Sequence, residues 1–219
     1  MVRVMLRTCA LACLVALAAL PACRSAYYGA LERVGIQKRH ILADRIEDGR
    51  EAQQDAQEQF QDAFERFKTA TRFEGGKLEE TYRGLASELE DSEARAAEVR
   101  ERIASIEQVA GDLFDEWEEE ISQISRADLR SKSSARLRET RARYAKLLAA
   151  MKRAERKMEP VLVAFRDQVL FLKHNLNASA IASLETQATG IQSDVDALVR
   201  DLESSIREAD VFLSTLEQG

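Results

Sequence analysis

Beyond residue 23 the chain contains no cysteine; its three, Cys9, Cys13 and Cys23, all lie at the N-terminal end. A domain without a disulfide must be held together by its hydrophobic core alone. Proline is almost as scarce, with only Pro21 and Pro160, and glycine numbers nine. Few helix breakers leave room for few turns. Histidine is limited to His40 and His174, and the residues three places before them are Gln37 and Phe171. Neither forms the Glu-x-x-His pair on which di-iron bundle sites depend. No phosphate-cradling glycine loop, nucleophile elbow or cysteine nucleophile is present. Asp194, Asp196 and Asp201 lack the glycine and terminal glutamate of a calcium loop, so they read as solvated helix surface. The expectation is a protein with no catalytic site, no cofactor and no metal.

The one uncharged apolar run, Thr8 to Leu20, follows Arg3 and Arg7. It falls short of the ~20 residues a membrane span needs and matches a secretory signal peptide. The segment Leu20-Pro21-Ala22-Cys23 resembles the bacterial lipobox: an apolar residue, a variable position, a small residue, then the cysteine that is diacylated and becomes N-terminal. Residues 1–22 are therefore expected to be removed, leaving residues 23–219 attached to a lipid bilayer through acylated Cys23. Arg24, rather than the aspartate common in inner-membrane lipoproteins, points to the periplasmic face of the outer membrane.

What is abundant is charge and helix-forming residues. Arg3 and Arg7 are the only charges in the first 22 residues, so removing them takes the net charge from -6 to -8. An acidic body argues against nucleic-acid partners. Alternating steps of four and three from Leu78 to Ile124 meet apolar residues at 12 of 14 positions, against about six at the chain's 45% average. The same stepping gives nine of 11 from Leu137 to Leu172 and ten of 11 from Ile181 to Leu216. These are coiled-coil seams. Ile41, Ala52, Ala56, Phe60, Phe64, Phe67 and Ala70 line one side of an earlier helix.

Gly75-Gly76, the Ser125–Ser134 stretch and Asn175 to Ser179 are the expected turns, with a capping-box-like Ser125-Arg126-Ala127-Asp128 at the second. Pro160, inside the third seam, is expected to kink its helix. The result is an all-α fold, an elongated up-down-up-down four-helix bundle or antiparallel coiled coil. Its helices are expected at about 27–73, 77–124, 129–176 and 180–217, each ~60–70 Å long.

Between Leu78 and Ile124 there are 15 acidic and four basic residues; between Leu129 and Lys157 there are 11 basic and two acidic. Opposite flanks make these two helices antiparallel neighbours, with Leu113 expected near Leu137. The cluster Arg136, Arg138, Arg141, Arg143 and Lys146 then reads as a flank neutralised by the acidic helix, with an anionic-lipid patch as the alternative. Trp117, in the acidic run 115–120, is a seam residue that would anchor a partner if exposed.

The stretch Tyr27 to Ile36 with Lys38-Arg39 resembles the opening of an uncharacterised bacterial lipoprotein family known as domain of unknown function 2959. Leu113 to Trp117, Leu137 to Tyr144, Met158 to Leu162 and Leu172 to Ala178 are similar to further blocks of that family. The resemblance implies a helical periplasmic lipoprotein and supplies no activity. The expected function is that of a membrane-tethered structural or interaction lipoprotein binding a protein partner or the cell wall. Lys173, His174 and Asn175, at a turn expected to lie far from the membrane, are the candidate partner-binding residues. The alternative is a membrane-surface helical module acting through the basic flank of the third helix.

Overall fold

The computed structural model describes residues 37–71, 78–175 and 178–217. Cys23, the signal segment, the Gly75-Gly76 turn and Asn177 lie outside the described residues. Four helices account for nearly all of the rest: α1 Lys38–Thr71, α2 Leu78–Gln123, α3 Ala127–His174 and α4 Ala178–Glu217. No strand occurs among the described residues. The chain divides into two compact units, Met1–Ile41 and Leu42–Gly219. In the first, the opening turn of α1 is closed by the amides of His40 and Ile41 bonding to the Gln37 carbonyl at 2.9 and 3.3 Å. The second is an all-α helical bundle.

Its pairing is legible from side chains that meet. Along α2 the partners on α3 run backwards: Glu93 bonds Arg166 at 2.6 Å, Arg100 bonds Glu159 at 2.9 Å, Glu107 bonds Lys152, and Glu118 bonds Arg141. The first three pairs recur at heptad spacing on both helices, so α2 and α3 are antiparallel coiled-coil neighbours. On the far side of α3, Arg153 meets Asp201 and Lys146 meets Glu208, which makes α4 antiparallel to α3. Helix α1 runs antiparallel to α2, with Asp55 on Arg95 at 3.2 Å and Asp48 on Arg102 at 3.5 Å. It also reaches α4 through Arg50 and Asp210, 3.7 Å apart.

Side-chain volume is graded along the core. One end holds Phe64, Phe67 and Phe165 with ring centroids 6.2 to 6.4 Å apart. The other holds Phe114, Tyr144 and Phe212 in edge-on contacts of 5.4 and 6.3 Å. Between them lie the small buried residues Ala52, Ala56, Ala96, Ala150 and Ala154. At Gly49 a β-carbon would stand 2.7 Å from the Ile106 methyl, so glycine there lets α1 close onto α2. Gln53 and Ser205 are also fully buried in this middle region, and their side-chain polar atoms find no partner.

Several local expectations are corrected. The helix ends differ by a few residues: α3 begins at Ala127 and ends at His174, and α4 begins at Ala178, so Ser179 lies inside it. Ser125 does not cap α3. The N-cap is Arg126, which makes no side-chain cap bond and instead forks onto Asp128 at 3.1 and 2.7 Å. The turn between α2 and α3 is therefore shorter than expected, and the register shifts: Phe114 meets Tyr144, well beyond Leu137. Helix α3 does not end at Pro160, which lies on its exposed face. The seams also drift. Past Ala110 the buried position is Phe114 rather than Leu113, and past Phe165 it is Val169 rather than Gln168. A 3.6-residue helix rotates relative to a strict 3.5-residue pattern.

Candidate functional site

The last turns of α3 bury one line of residues and expose another. Val161, Leu162, Phe165, Val169 and Leu172 face the core. On the outer side Val163, Leu170 and Phe171 are 41%, 50% and 42% exposed. Spacings of seven and eight from Val163 put these three on one helical face. Isolated exposed apolar residues are ordinary, but a cluster of large ones on a single face marks a contact surface.

The three residues singled out from sequence adjoin this cluster and differ in role. Lys173 and His174 are exposed at the C-terminal end of a 48-residue helix, where the positive charge of Lys173 complements the helix dipole. Asn175 is the C-cap: its amide N–H donates to the Leu172 carbonyl at 3.1 Å and its Nδ2 donates to the Phe171 carbonyl at 2.9 Å. Its side chain is occupied in ending the helix, whereas Lys173 and His174 are open to a partner. Leu170 and Phe171 were hidden from sequence reasoning because apolar residues beside a seam are read as part of it; only their one- and two-residue offset from Leu172 marks them as outside.

Inward of this face, Ala63, Phe67, Leu85, Glu88, Leu89, Phe165 and Val169 line a void of about 10 Å³. That is room for about one water, far below a small-molecule site. Glu88 there accepts a bond from Gln59 Nε2 at 2.9 Å.

The basic flank of α3 is divided among partners on three helices, not met by α2 alone. Arg141 pairs with Glu118 on α2 and lies 5.3 Å over the Phe114 ring. Arg143 pairs with Glu139 on its own helix and Lys146 with Glu208 on α4. Only Arg136 and Arg138 of the five are exposed without an ion-pair partner among the described residues. Trp117 is half-buried, with its indole N–H donating to Ser133 Oγ at 3.0 Å, so it is a packing residue rather than an open anchor.

Several titratable groups are perturbed by burial or by pairing. Burial, with the Glu107 carboxylate as a lesser cause, pushes the Tyr144 phenol far above the ordinary tyrosine range. The hydrogen bond from Arg50 holds Glu47 below the carboxylate range. Asp201 is spent on Arg153 and Asp196 accepts from Gln192 at 2.8 Å. His40 and His174 are both exposed, and among the described residues no group of three His, Cys, Asp or Glu side chains could hold a metal ion. No helix among the described residues is long and apolar enough to cross a membrane.

No curated protein and no solved structure matches the chain. A family model does match, over residues 27–216, and includes all four helices but for the final residue of α4. The chain belongs to the family described as "Protein of unknown function (DUF2959)".

Proposed function

We propose that the protein is an exported, lipid-anchored interaction module that docks a protein partner on the C-terminal end of α3. The observation that carries this reading is the exposure of Leu170 and Phe171, 50% and 42%, next to the exposed Lys173 and His174. Large apolar side chains flanked by positive charge suit a protein surface better than the polar glycan of a cell wall. Pairing of Arg141, Arg143 and Lys146 weighs against the alternative, a membrane-surface role for the basic flank. The tether is read from Leu20-Pro21-Ala22-Cys23, and attachment through two or three acyl chains would hold firmly where one chain would not.

Two arms test this. Metabolic labelling with a fatty-acid probe should mark the native chain and not Cys23→Ala; equal labelling refutes the anchor. In-cell crosslinking should give a discrete adduct that is lost in Leu170→Glu/Phe171→Glu while helicity is unchanged. An adduct that persists in that variant, or is lost only when Arg136 and Arg138 are neutralised, replaces the docking surface with the basic flank.

A further inference from the structure

Most of the buried core is apolar, but one layer is not. Gln53 on α1 and Ser205 on α4 are fully buried. Both polar atoms of the Gln53 side chain, and the Ser205 hydroxyl, find no hydrogen-bond partner among the described residues. Arg50 and Asp210, 3.7 Å apart, set the relative height of the two helices. Gln53 lies three residues on from Arg50 and Ser205 five back from Asp210, so on antiparallel helices both are about one turn further along the same seam. Ser92, also buried, differs from them: its hydroxyl donates to the Glu88 carbonyl at 2.7 Å. A buried polar atom without a partner costs free energy that hydration would return.

Around that layer α1 has little else to hold it. From residue 47 to residue 59 its buried positions are Gly49, Ala52, Gln53 and Ala56, so no large apolar side chain is buried between Ile46 and Phe60. Across to α4 the ion pair among the described residues is Arg50–Asp210, and Arg50 is already bonded to Glu47 on its own helix. By contrast, α2 and α3 are joined by Glu93–Arg166, Arg100–Glu159 and Glu107–Lys152. We propose that the α1–α4 seam is the line along which this bundle opens. The stretch of α1 between Ile46 and Phe60 separates from α4 and hydrates Gln53 and Ser205, while α2, α3 and α4 stay packed on one another. Beyond that stretch α1 is anchored by Phe67, whose ring lies 6.2 Å from that of Phe165 on α3. Opening uncovers Ile106 and Met151, both fully buried, whose side chains lie against Gly49. A released stretch of this length is marginal as a helix in water, so its backbone amides exchange in the open state.

Hydrogen exchange of the chain at low denaturant, read by mass spectrometry, tests the proposal. Amides of residues 46–59 should exchange together, about tenfold or more faster than those of α2 and α3. Their denaturant dependence should also be smaller, because opening exposes less surface than global unfolding. Gln53→Leu should slow them about tenfold and Ser205→Ala by less, since each removes a desolvated group from the closed state. With the native cysteines replaced by serine, a short bifunctional thiol reagent linking Arg50→Cys to Asp210→Cys should bring them to the rate of α2 and α3. Native amides of 46–59 that exchange no faster than those of α2 and α3 overturn the proposal, as does a crosslink that leaves their rate unchanged. Exchange that is unchanged or faster in both Gln53→Leu and Ser205→Ala overturns it too, because the closed layer would then already be satisfied by a buried water.

Discussion

Single glycines separate the tight parts of the bundle from its open surface. Gly49 is buried against Ile106, whereas added β-carbons at Gly111 and Gly190 would meet nothing within 4 Å. Both of the latter are exposed within helices, where glycine is entropically costly. Gly111→Ala and Gly190→Ala should each stabilise by about 0.4–1 kcal/mol, while Gly49→Val should destabilise by about 1–3 kcal/mol through overpacking. Urea denaturation midpoints distinguish these signs. Gln53 raises the opposite question, because both of its amide atoms are buried without a hydrogen-bond partner. Gln53→Leu keeps the approximate shape and removes the desolvated amide, so a gain of about 1–3 kcal/mol is expected in the same assay. A loss would mean that the amide is satisfied by a buried water. Nothing in the periodicity pointed to Gln53, since a polar residue at a core position is indistinguishable in sequence from one that breaks the seam.

At the level of helices, the charge pattern does more than bring acidic α2 beside basic α3. The heptad-spaced pairs Glu93–Arg166, Arg100–Glu159 and Glu107–Lys152 alternate in sign. A slip of one heptad would bring Glu93 opposite Glu159, or Arg100 opposite Arg166. Each exposed pair contributes only about 0.2–1 kcal/mol, but the alternation penalises every neighbouring register. With the native cysteines replaced by serine, a short bis-thiol reagent should link Glu107→Cys to Lys152→Cys and fail to link Leu113→Cys to Leu137→Cys. The reverse outcome would restore the register expected from sequence. The bundle class, the four seams and the antiparallel sense of α2 and α3 were legible because each repeats over many turns. Register was not, because it depends on where a short turn closes, and Ser125 to Ser134 offered several places. The Asn175 cap and the paired state of Arg143 and Lys146 depend on which way single side chains turn, about which spacing is silent.

For the bundle as a whole, stability should fall at both extremes of pH. Arg141 holds Glu118 below the ordinary carboxylate range by a hydrogen bond, Arg126 does the same for Asp128, and Arg50 for Glu47. Groups with depressed folded values contribute stability above the unfolded carboxylate range, and that contribution is lost as pH falls through it. The melting temperature should therefore drop below about pH 4. Tyr144 is raised, so its contribution is complete below about pH 10 and is lost above, as the unfolded phenol ionises. Absorbance titration of the native chain against Tyr144→Phe should show Tyr144 ionising only with unfolding. An alkaline titration in which Tyr144 ionises while helicity is intact would contradict its burial.

The C-terminal end of α3 presents exposed apolar side chains beside the exposed Lys173 and His174. The most direct measurement of the docking role is in-cell photo-crosslinking from single positions on α3. A photoreactive residue at Phe171 should give one discrete adduct with a different protein, and the same residue at Arg156, exposed midway along the helix, should give none. Adducts of equal yield from both positions, or an adduct from Arg156 alone, would contradict a partner surface at the end of α3.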